Sequence, residues 1–415
     1  MLIIYRTLVG LALILGSPYL LVKALFGRHG IRQRFGFIEK RESPEKLVWF
    51  HAASVGELKI IQSVLPKMIE RDGNLQFAVS TTTITGMRRA RELFGDRAYI
   101  FLQPLELKSS IVRVIARLGP EMLVIVETEI WPLMLTVSHE LGVKLFLINA
   151  RMKESSFGKY RLIKPLFAPA LRRFSRVLAQ TSDDAERFRR LGAENVTVAG
   201  NLKYDQILDK EYTNSRRLSI EKKGKMVFVA GSVRKGEDAI LADVISKIIQ
   251  SELNVGFILV PRHMKEIDDM AGVLGFHGIK YRLRSDMAGD MINLDSVLIV
   301  NTMGELRDFY SLADLAFVGG SLVPIGGHDP LEPAALGKPV IFGPYMDNAR
   351  EAALLLLKSG GAFEVNNCED ILKIIRKSIP DRRNLEAKGL KCRQAILSMT
   401  GASERTVRYL MGESN

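Results

Sequence analysis

Residues 47–57 read LVWFHAASVGE. An unbroken apolar run of this length that stops at a polar loop is the pattern of a strand buried on both faces, as in a parallel sheet. Small residues follow it, and Gly56 permits a tight turn into a helix. The same strand–turn–helix unit recurs on both sides of this stretch. Runs at 75–80 (LQFAVS), 98–101, 122–126 (MLVIV), 144–148 (KLFLI) and 177–179 read as strands, with a short one at 196–198. Amphipathic stretches at 57–71, 86–94, 107–118 and 132–141 read as the helices between them. Alternation of this kind predicts a doubly wound α/β domain. A second series, with strands at 226–230 (MVFVA), 256–260 (GFILV), 297–300, 315–318 and 339–342, predicts another.

The organisation expected is therefore two doubly wound Rossmann-like α/β domains facing a cleft, at residues 27–209 and 226–400. The polar stretch 210–225 reads as a linker or a solvated helix, and 401–415 carries a closing helix over 402–411. Ligands in open α/β sheets bind outside the carboxyl ends of the strands.

Residues 8–22, LVGLALILGSPYLLV, carry no charge, and Lys23, Arg28, Arg32, Arg34, Lys40 and Arg41 follow them. The apolar core is shorter than the ~20 residues of a perpendicular span, and Ser17-Pro18 weakens it as a helix. A cleaved signal peptide would have its basic residues first. Residues 1–26 therefore read as a membrane anchor or an interfacial helix, with the rest of the chain on the cytoplasmic side.

The 415 residues hold 59 Lys and Arg against 46 Asp and Glu, a net charge of +13. That excess points to an anionic partner. No zinc-finger or RNA-recognition pattern supports nucleic acid. Two cysteines, Cys368 and Cys392, make neither a disulfide framework nor a thiolate metal site. The six histidines form no HExxH pair. Asp183-Asp184 and Asp268-Asp269 read as helix-start or surface acids. The P-loop and the GxGxxG fingerprint are both absent, which argues against an NTPase and a dehydrogenase.

Glu57 falls in the first turn of a helix at the end of a buried strand, where it is placed to take a proton from a hydroxyl. Ser54-x-x-Glu57 is equally a capping box. In ETEIWP, 127–132, Glu127 and Glu129 follow the strand MLVIV directly, and both face one side if the chain stays extended. Their alternative role is helix capping. Lys203 in GNLKYD, 200–205, is a point charge suited to a leaving phosphate. In the second series AGSVRKGE, 230–237, is a possible anion cradle. Arg262 in VPRH offers a planar fork for phosphate or a pyrimidine carbonyl. TMGEL, 302–306, opens a helix whose N–H groups suit a phosphate. The densest segment is GGSLVPIGGHDPLEPAALGKPVIFGPYMDN, 319–348. Its glycines let backbone approach a ligand closely. Asp329 reads as an N-cap, Pro330 as N1 and Glu332 as N3, with Glu332 also able to accept from ribose hydroxyls.

ASVGE ending at Glu57, ETEIWP, NARM at 149–152, GNLKYD, VPRH, TMGEL, GGSLVPIGGHDPLEPA and GPYMDN occur in one order along almost the whole chain. In this the sequence resembles the Kdo transferases, GT-B glycosyltransferases that attach 3-deoxy-manno-octulosonic acid (Kdo) from CMP-Kdo to lipid A precursor. The resemblance implies an inverting transfer to a hydroxyl of lipid IVA in lipopolysaccharide biosynthesis, on the cytoplasmic face of the inner membrane. It makes 27–209 the acceptor domain and 226–400 the CMP-sugar domain. It makes Glu57 the general base and Glu127 and Lys203 helpers of the transition state. CMP contacts fall on Pro261, Arg262, Met303, Gly304, Glu305, Asp329, Pro330, Leu331 and Glu332. Members often carry Asn where this chain has Asp329, which loses two donors and adds charge near a phosphate. The implied partners are CMP-Kdo, lipid A precursor and inner-membrane lipid, with no nucleic acid, no cofactor and no metal. Two other readings stay open: a GT-B transferase using a UDP-sugar and another lipid or cell-wall acceptor, and a non-enzymatic basic protein bound to anionic lipid or nucleic acid.

Overall fold

The computed structural model describes Tyr5, Thr7 and residues 30–208, 218–287 and 289–413. The apolar stretch 8–22 lies outside the described residues. Among the described residues no helix is long and apolar enough to cross a membrane.

The chain divides into two compact units. One comprises residues 1–206 and 399–415, the other residues 207–398. Unit 1 is built on strands β1 (Leu47–Ala52), β2 (Gln76–Thr81), β3 (Ala98–Leu102), β4 (Met122–Val126), β5 (Lys144–Ala150), β6 (Arg176–Ala179) and β7 (Val196–Val198). They form one parallel sheet in the order β3-β2-β1-β4-β5-β6-β7. All six residues of β1 are buried, as an apolar strand covered on both faces requires. Alternation sends Leu47 and Trp49 into one core layer and Val48, Phe50 and Ala52 into the other. On the first of these faces Trp49 Nε1 donates to Ser80 Oγ at 2.8 Å, and His51 Nδ1 meets the same hydroxyl at 2.9 Å. Burial pushes the His51 imidazole down to about 4, so it stays neutral in the core.

Unit 2 contains β8 (Ser219–Glu221), β9 (Met226–Val233), β10 (Val255–Pro261), β11 (Tyr281–Leu283), β12 (Met291–Asn293), β13 (Val297–Ile299), β14 (Leu315–Val318), β15 (Val340–Phe342) and β16 (Ala362–Glu364). Seven of them pair in the order β11-β13-β10-β9-β14-β15-β16, again parallel. The remaining two, β8 and β12, pair with each other. Part of the stretch read as linker is thus strand, because Leu218 and Ile220 join the apolar layer of Val227, Val229 and Ile258. The short strands β8, β11, β12 and β16 carry too few apolar residues to be recognised by periodicity.

Each sheet reverses its strand order near its centre, between β1 and β4 in unit 1 and between β9 and β14 in unit 2. The loops leaving such neighbours run in opposite directions and open a crevice at the strand ends. Those four strand ends carry the acids at Glu57 and Glu127 and the turns 232–237 and 319–322.

The last helix, Ala402–Met411, packs in unit 1 through Ala402, Val407 and Leu410. Its N-terminus is capped from a distance: Gly401 N–H and Ser403 N–H donate to the Asp205 carboxylate at 2.7 and 3.2 Å. Asp205→Ala leaves two amides of that turn without an acceptor. It is expected to cost about 1–2 kcal/mol and to speed amide hydrogen exchange across Ala402–Met411. Unchanged exchange there would count against the capping role.

Candidate active site

In unit 1 the site begins where β1 ends. Ser54 has extended geometry (φ −124, ψ 161) and caps the helix Val55–Arg71. Glu57 N–H donates to Ser54 Oγ at 3.3 Å, Ser54 Oγ donates to Glu57 Oε1 at 2.8 Å, and Ala53 N–H donates to Oε2 at 2.7 Å. The capping box is therefore real, and it holds the candidate base in one rotamer. Glu57 is 7% exposed. Burial pushes its carboxyl up to about 7, the two hydrogen bonds oppose the shift, and the Glu127 and Glu129 carboxylates add to it. The structure thus brings Glu57, Glu127 and Glu129 into one electrostatic cluster.

The chain does not stay extended after β4. Glu127 adopts a left-handed backbone (φ 62), and its N–H bonds Ile148 O at 3.0 Å, so the acids leave the strand in a turn. Burial raises the Glu129 carboxyl, a hydrogen bond from Trp131 Nε1 at 3.0 Å opposes this, and Glu127 adds to it. Neither acid caps the next helix, Pro132–Glu140. That cap is Glu106, which accepts from Leu133 N–H at 2.9 Å, Met134 N–H at 2.8 Å and Tyr5 Oη at 3.1 Å. Nothing in the sequence pattern singles out Glu106, because its partners lie 27 and 28 residues away.

Lys203 sits at the start of the helix Leu202–Leu208. Asn149, left-handed at φ 52 and buried, accepts from Leu202 N–H through Oδ1 at 3.0 Å and so fixes that start. Asp184 begins a helix as expected but is not a surface acid. It is buried and accepts from Met152 N–H at 2.7 Å, which ties the NARM loop down.

In unit 2 the sequence offered the Gly319-Gly320-Ser321 amides to a ligand. They are already taken. Glu237, fully buried, accepts from Arg234 N–H (3.0 Å), Gly320 N–H (2.7 Å), Ser321 N–H (2.9 Å) and Leu322 N–H (2.9 Å). A side chain at Gly319 would strike Ser232 O and come within 2.9 Å of Glu237 Oε2, so the glycine there serves this closure. Within the segment 230–237 the Arg234 amide is thus committed to Glu237. That glutamate binds the turn from beneath.

Basic side chains gather near that turn. Arg262 and His263 leave the end of β10 exposed. Arg234 packs on Gly320, as does the ring of His328, whose Nε2 is buried without a hydrogen-bond partner among the described residues. Burial pushes the His328 imidazole down to about 4, helped by Arg262, Arg234 and His263. The sequence reading gave Arg234 no role and passed over His328. The only local signal was the lone His between Gly327 and Asp329.

The other positions that the resemblance assigns to CMP lie as follows. Pro261 ends β10. Met303 is 85% exposed beside Gly304. Glu305 is buried, and its carboxylate is bound by Arg284 Nη2 at 3.2 Å and by the Thr302 hydroxyl. Asp329 Oδ1 accepts from Leu331 N–H at 3.0 Å, so it caps as expected, although the helix proper runs Leu331–Ala335 with Pro330 one step earlier in the cap position. Glu332 lies in the first turn, and its charge reaches the buried Tyr310, as do those of Asp329 and Glu237.

Glu237→Gln places an amide NH2 against backbone N–H groups that need acceptors. We expect a loss of about 2–4 kcal/mol in the stability of unit 2 and weaker CMP binding, read together by thermal shift with and without CMP. Wild-type stability in this variant would refute the clasp.

A family model described as 3-Deoxy-D-manno-octulosonic-acid transferase (kdotransferase) matches residues 29–206. A bifunctional glycosyltransferase/methyltransferase of Fusobacterium nucleatum is 33% identical over 84% of this chain, which spans only 56% of that relative. The 3-deoxy-D-manno-octulosonic acid transferase of Haemophilus influenzae is 30% identical over 94% of this chain and 92% of its own length. Among solved structures, UDP-GlcNAc 2-epimerase from Neisseria meningitidis superposes with a TM-score of 0.57 at 12% identity, covering 89% of this chain and 100% of that one, a likeness of fold alone. The two parallel Rossmann-like sheets are thus GT-B-like, and by near-full-length identity the chain belongs to the 3-deoxy-D-manno-octulosonic acid transferase family.

Proposed function

We infer that this chain is a glycosyltransferase that moves Kdo from CMP-Kdo to a hydroxyl of lipid A precursor, in lipopolysaccharide biosynthesis. The observation that carries the reading is the buried Glu57, its carboxyl pushed up to about 7, in a chain of this family. A base with that pKa is half ionised near neutral pH and matched to taking a proton from a sugar hydroxyl in the transition state.

In the proposed step Glu57 takes the proton of the acceptor hydroxyl. That oxygen forms a bond to the anomeric carbon of Kdo, while the bond from that carbon to the phosphate oxygen breaks. CMP leaves with the electron pair from the opposite face, and the configuration inverts. Arg262 and Lys203 meet the charge that develops on the phosphate. Asp329, Pro330, Leu331 and Glu332, with Met303 to Glu305, receive the nucleoside. Glu127 supports the transition state and raises the basicity of Glu57. The enzyme works at the cytoplasmic face of the inner membrane, a reading supported by the uncharged stretch 8–22 and the basic residues after it.

Mass spectrometry of lipid A precursor incubated with the protein and CMP-Kdo tests donor, acceptor and number of additions together. Absence of a Kdo mass increment sinks the reading, and competition by UDP rather than CMP would favour a UDP-sugar donor. Glu57→Ala is expected to abolish transfer while CMP-Kdo still binds. Retained turnover would remove Glu57 as base.

The pH dependence has a definite sign. The base acts ionised, so kcat/KM falls about tenfold per pH unit below about 7 and levels above it. Glu129→Gln removes one of the carboxylates that hold this value up, so the acid limb of the profile moves to lower pH. A limb that stays in place, or moves to higher pH, contradicts the cluster.

A further inference from the structure

The most unusual surface of unit 1 is a corner between two helices. Glu154–Leu162 and Lys164–Leu171 are separated by one residue, Ile163. Leu162 is 82% exposed and Ile163 43%. Lys159, Arg161 and Lys164 are exposed around them. From 151 to 173 the chain holds seven basic residues (Arg151, Lys153, Lys159, Arg161, Lys164, Arg172, Arg173) and one acid, Glu154. That acid is already paired with Arg187 at 2.9 Å, and Arg172 lies 3.6 Å from Glu194. Among the described residues no carboxylate pairs with Lys159, Arg161 or Lys164.

Single exposed apolar side chains are ordinary. Two adjacent aliphatic side chains at the tip of a rigid corner, ringed by three unpaired cations, are not. In unit 2 Phe276 is more exposed, at 90%, but its neighbour His277 faces Asp243 at 3.8 Å. The corner is also held firmly from behind. Tyr160 and Phe167 stack edge to face at 4.9 Å and pack on the core of unit 1. Arg190 lies over Phe157 at 4.7 Å. The tip is therefore presented rather than left over from poor packing.

We propose that the Arg161–Lys164 corner docks on an anionic bilayer, with Leu162 and Ile163 entering the headgroup–acyl boundary and Lys159, Arg161 and Lys164 on the lipid phosphates. Aliphatic tips bury in that boundary while lysine and arginine stems reach back to the headgroups. This contact is separate from the apolar stretch 8–22. It rests on the reading above only in one respect, that the acceptor is a lipid. The corner stands close to the chemistry, because Tyr160, on the first of the two helices, lies within reach of the Glu129 charge. Docking here would present a membrane-borne acceptor to the acids of the same unit.

The test uses the full chain and vesicles of equal parts phosphatidylcholine and phosphatidylglycerol, with phosphatidylcholine vesicles as control. In Leu162→Trp the new indole is expected to shift to the blue on anionic vesicles and to be quenched by brominated lipid, beyond the response of the wild type. An indole that stays in water overturns the proposal even if the protein binds through its N-terminal stretch. The triple variant Lys159→Glu, Arg161→Glu, Lys164→Glu is expected to lower partitioning on the order of a hundredfold or more, since each basic residue near such a surface contributes about fivefold. Equal partitioning of variant and wild type also overturns it. With lipid A precursor as substrate, the double variant Leu162→Glu, Ile163→Glu should lose turnover on vesicle-borne acceptor and keep it on detergent-dispersed acceptor. Equal loss in both would mark a structural defect and refute the docking role. If the transferase reading is itself wrong, the wild type shows no turnover on either form, while the indole and partitioning measurements still decide the corner.

Discussion

Parallel strand pairing decides where the chemistry of this chain can lie. A parallel sheet buried on both faces leaves no side chain in its interior free for reaction, and helices cover those faces. Only the strand ends remain, and among them the ends of neighbours whose connections diverge. In unit 1 those neighbours are β1 and β4, registered with His51 opposite Ile125. Three and two residues later come the turns that hold Ser54, the cap of Glu57, and Glu127. In unit 2 they are β9 and β14, with Gly231 opposite Val318. There the turns hold Ser232 and Gly319. The non-glycine residues with left-handed backbone include Glu127 and Ser232, at strand ends of this kind, and Asn149, at the end of β5. Such strain persists only where surrounding structure enforces it, and it collects at functional positions.

Three buried glutamates divide the work of these loops. Glu237 gives its oxygens to four backbone amides, and Glu106 gives its oxygens to two amides and a tyrosine hydroxyl. Burial raises the carboxyl of each, and their donors oppose the rise. Both are consumed in tying loops together. Glu57 receives one amide and one hydroxyl, and it has the charges of Glu127 and Glu129 in reach. Fewer donors and more like charge leave this carboxylate the most ready to accept a proton. Desolvation alone does not separate the three; what faces each carboxylate does.

The parts of this arrangement that were legible in the sequence are those encoded locally. The apolar runs of β1, β4 and β9 announce themselves, and Ser54 with Glu57 and Asp329 with Leu331 are capping patterns within four residues. The acids of ETEIWP could be suspected because a core strand rarely ends in two carboxylates. The rest was written at long range. Glu106 reaches Leu133, Glu237 reaches Gly320 and Arg284 reaches Glu305, and only folding brings these partners together. The extended geometry imagined for Glu127 and Glu129 failed for a related reason. A left-handed residue outside glycine leaves no mark in composition, because the tertiary bond from Glu127 N–H to Ile148 O enforces it.

The cations of unit 2 complete the logic of the donor side. Burial first, and then Arg262, Arg234 and His263, keep His328 unprotonated, so the surroundings of that turn are positive before anything binds. Like charges held together by a fold lower its stability, and a bound anion relieves the repulsion. Part of this field is balanced internally, since Glu266 lies 3.5 Å from Arg234. The remainder surrounds His328 Nε2, which is buried without a hydrogen-bond partner among the described residues, and in the proposed function it is the field that meets the donor phosphate. Asp329 adds charge of the other sign at the rim, but its carboxylate is engaged with Leu331 N–H at 3.0 Å. It therefore orders the short helix Leu331–Ala335, and the positive field around Gly320 and His328 is left to the arginines.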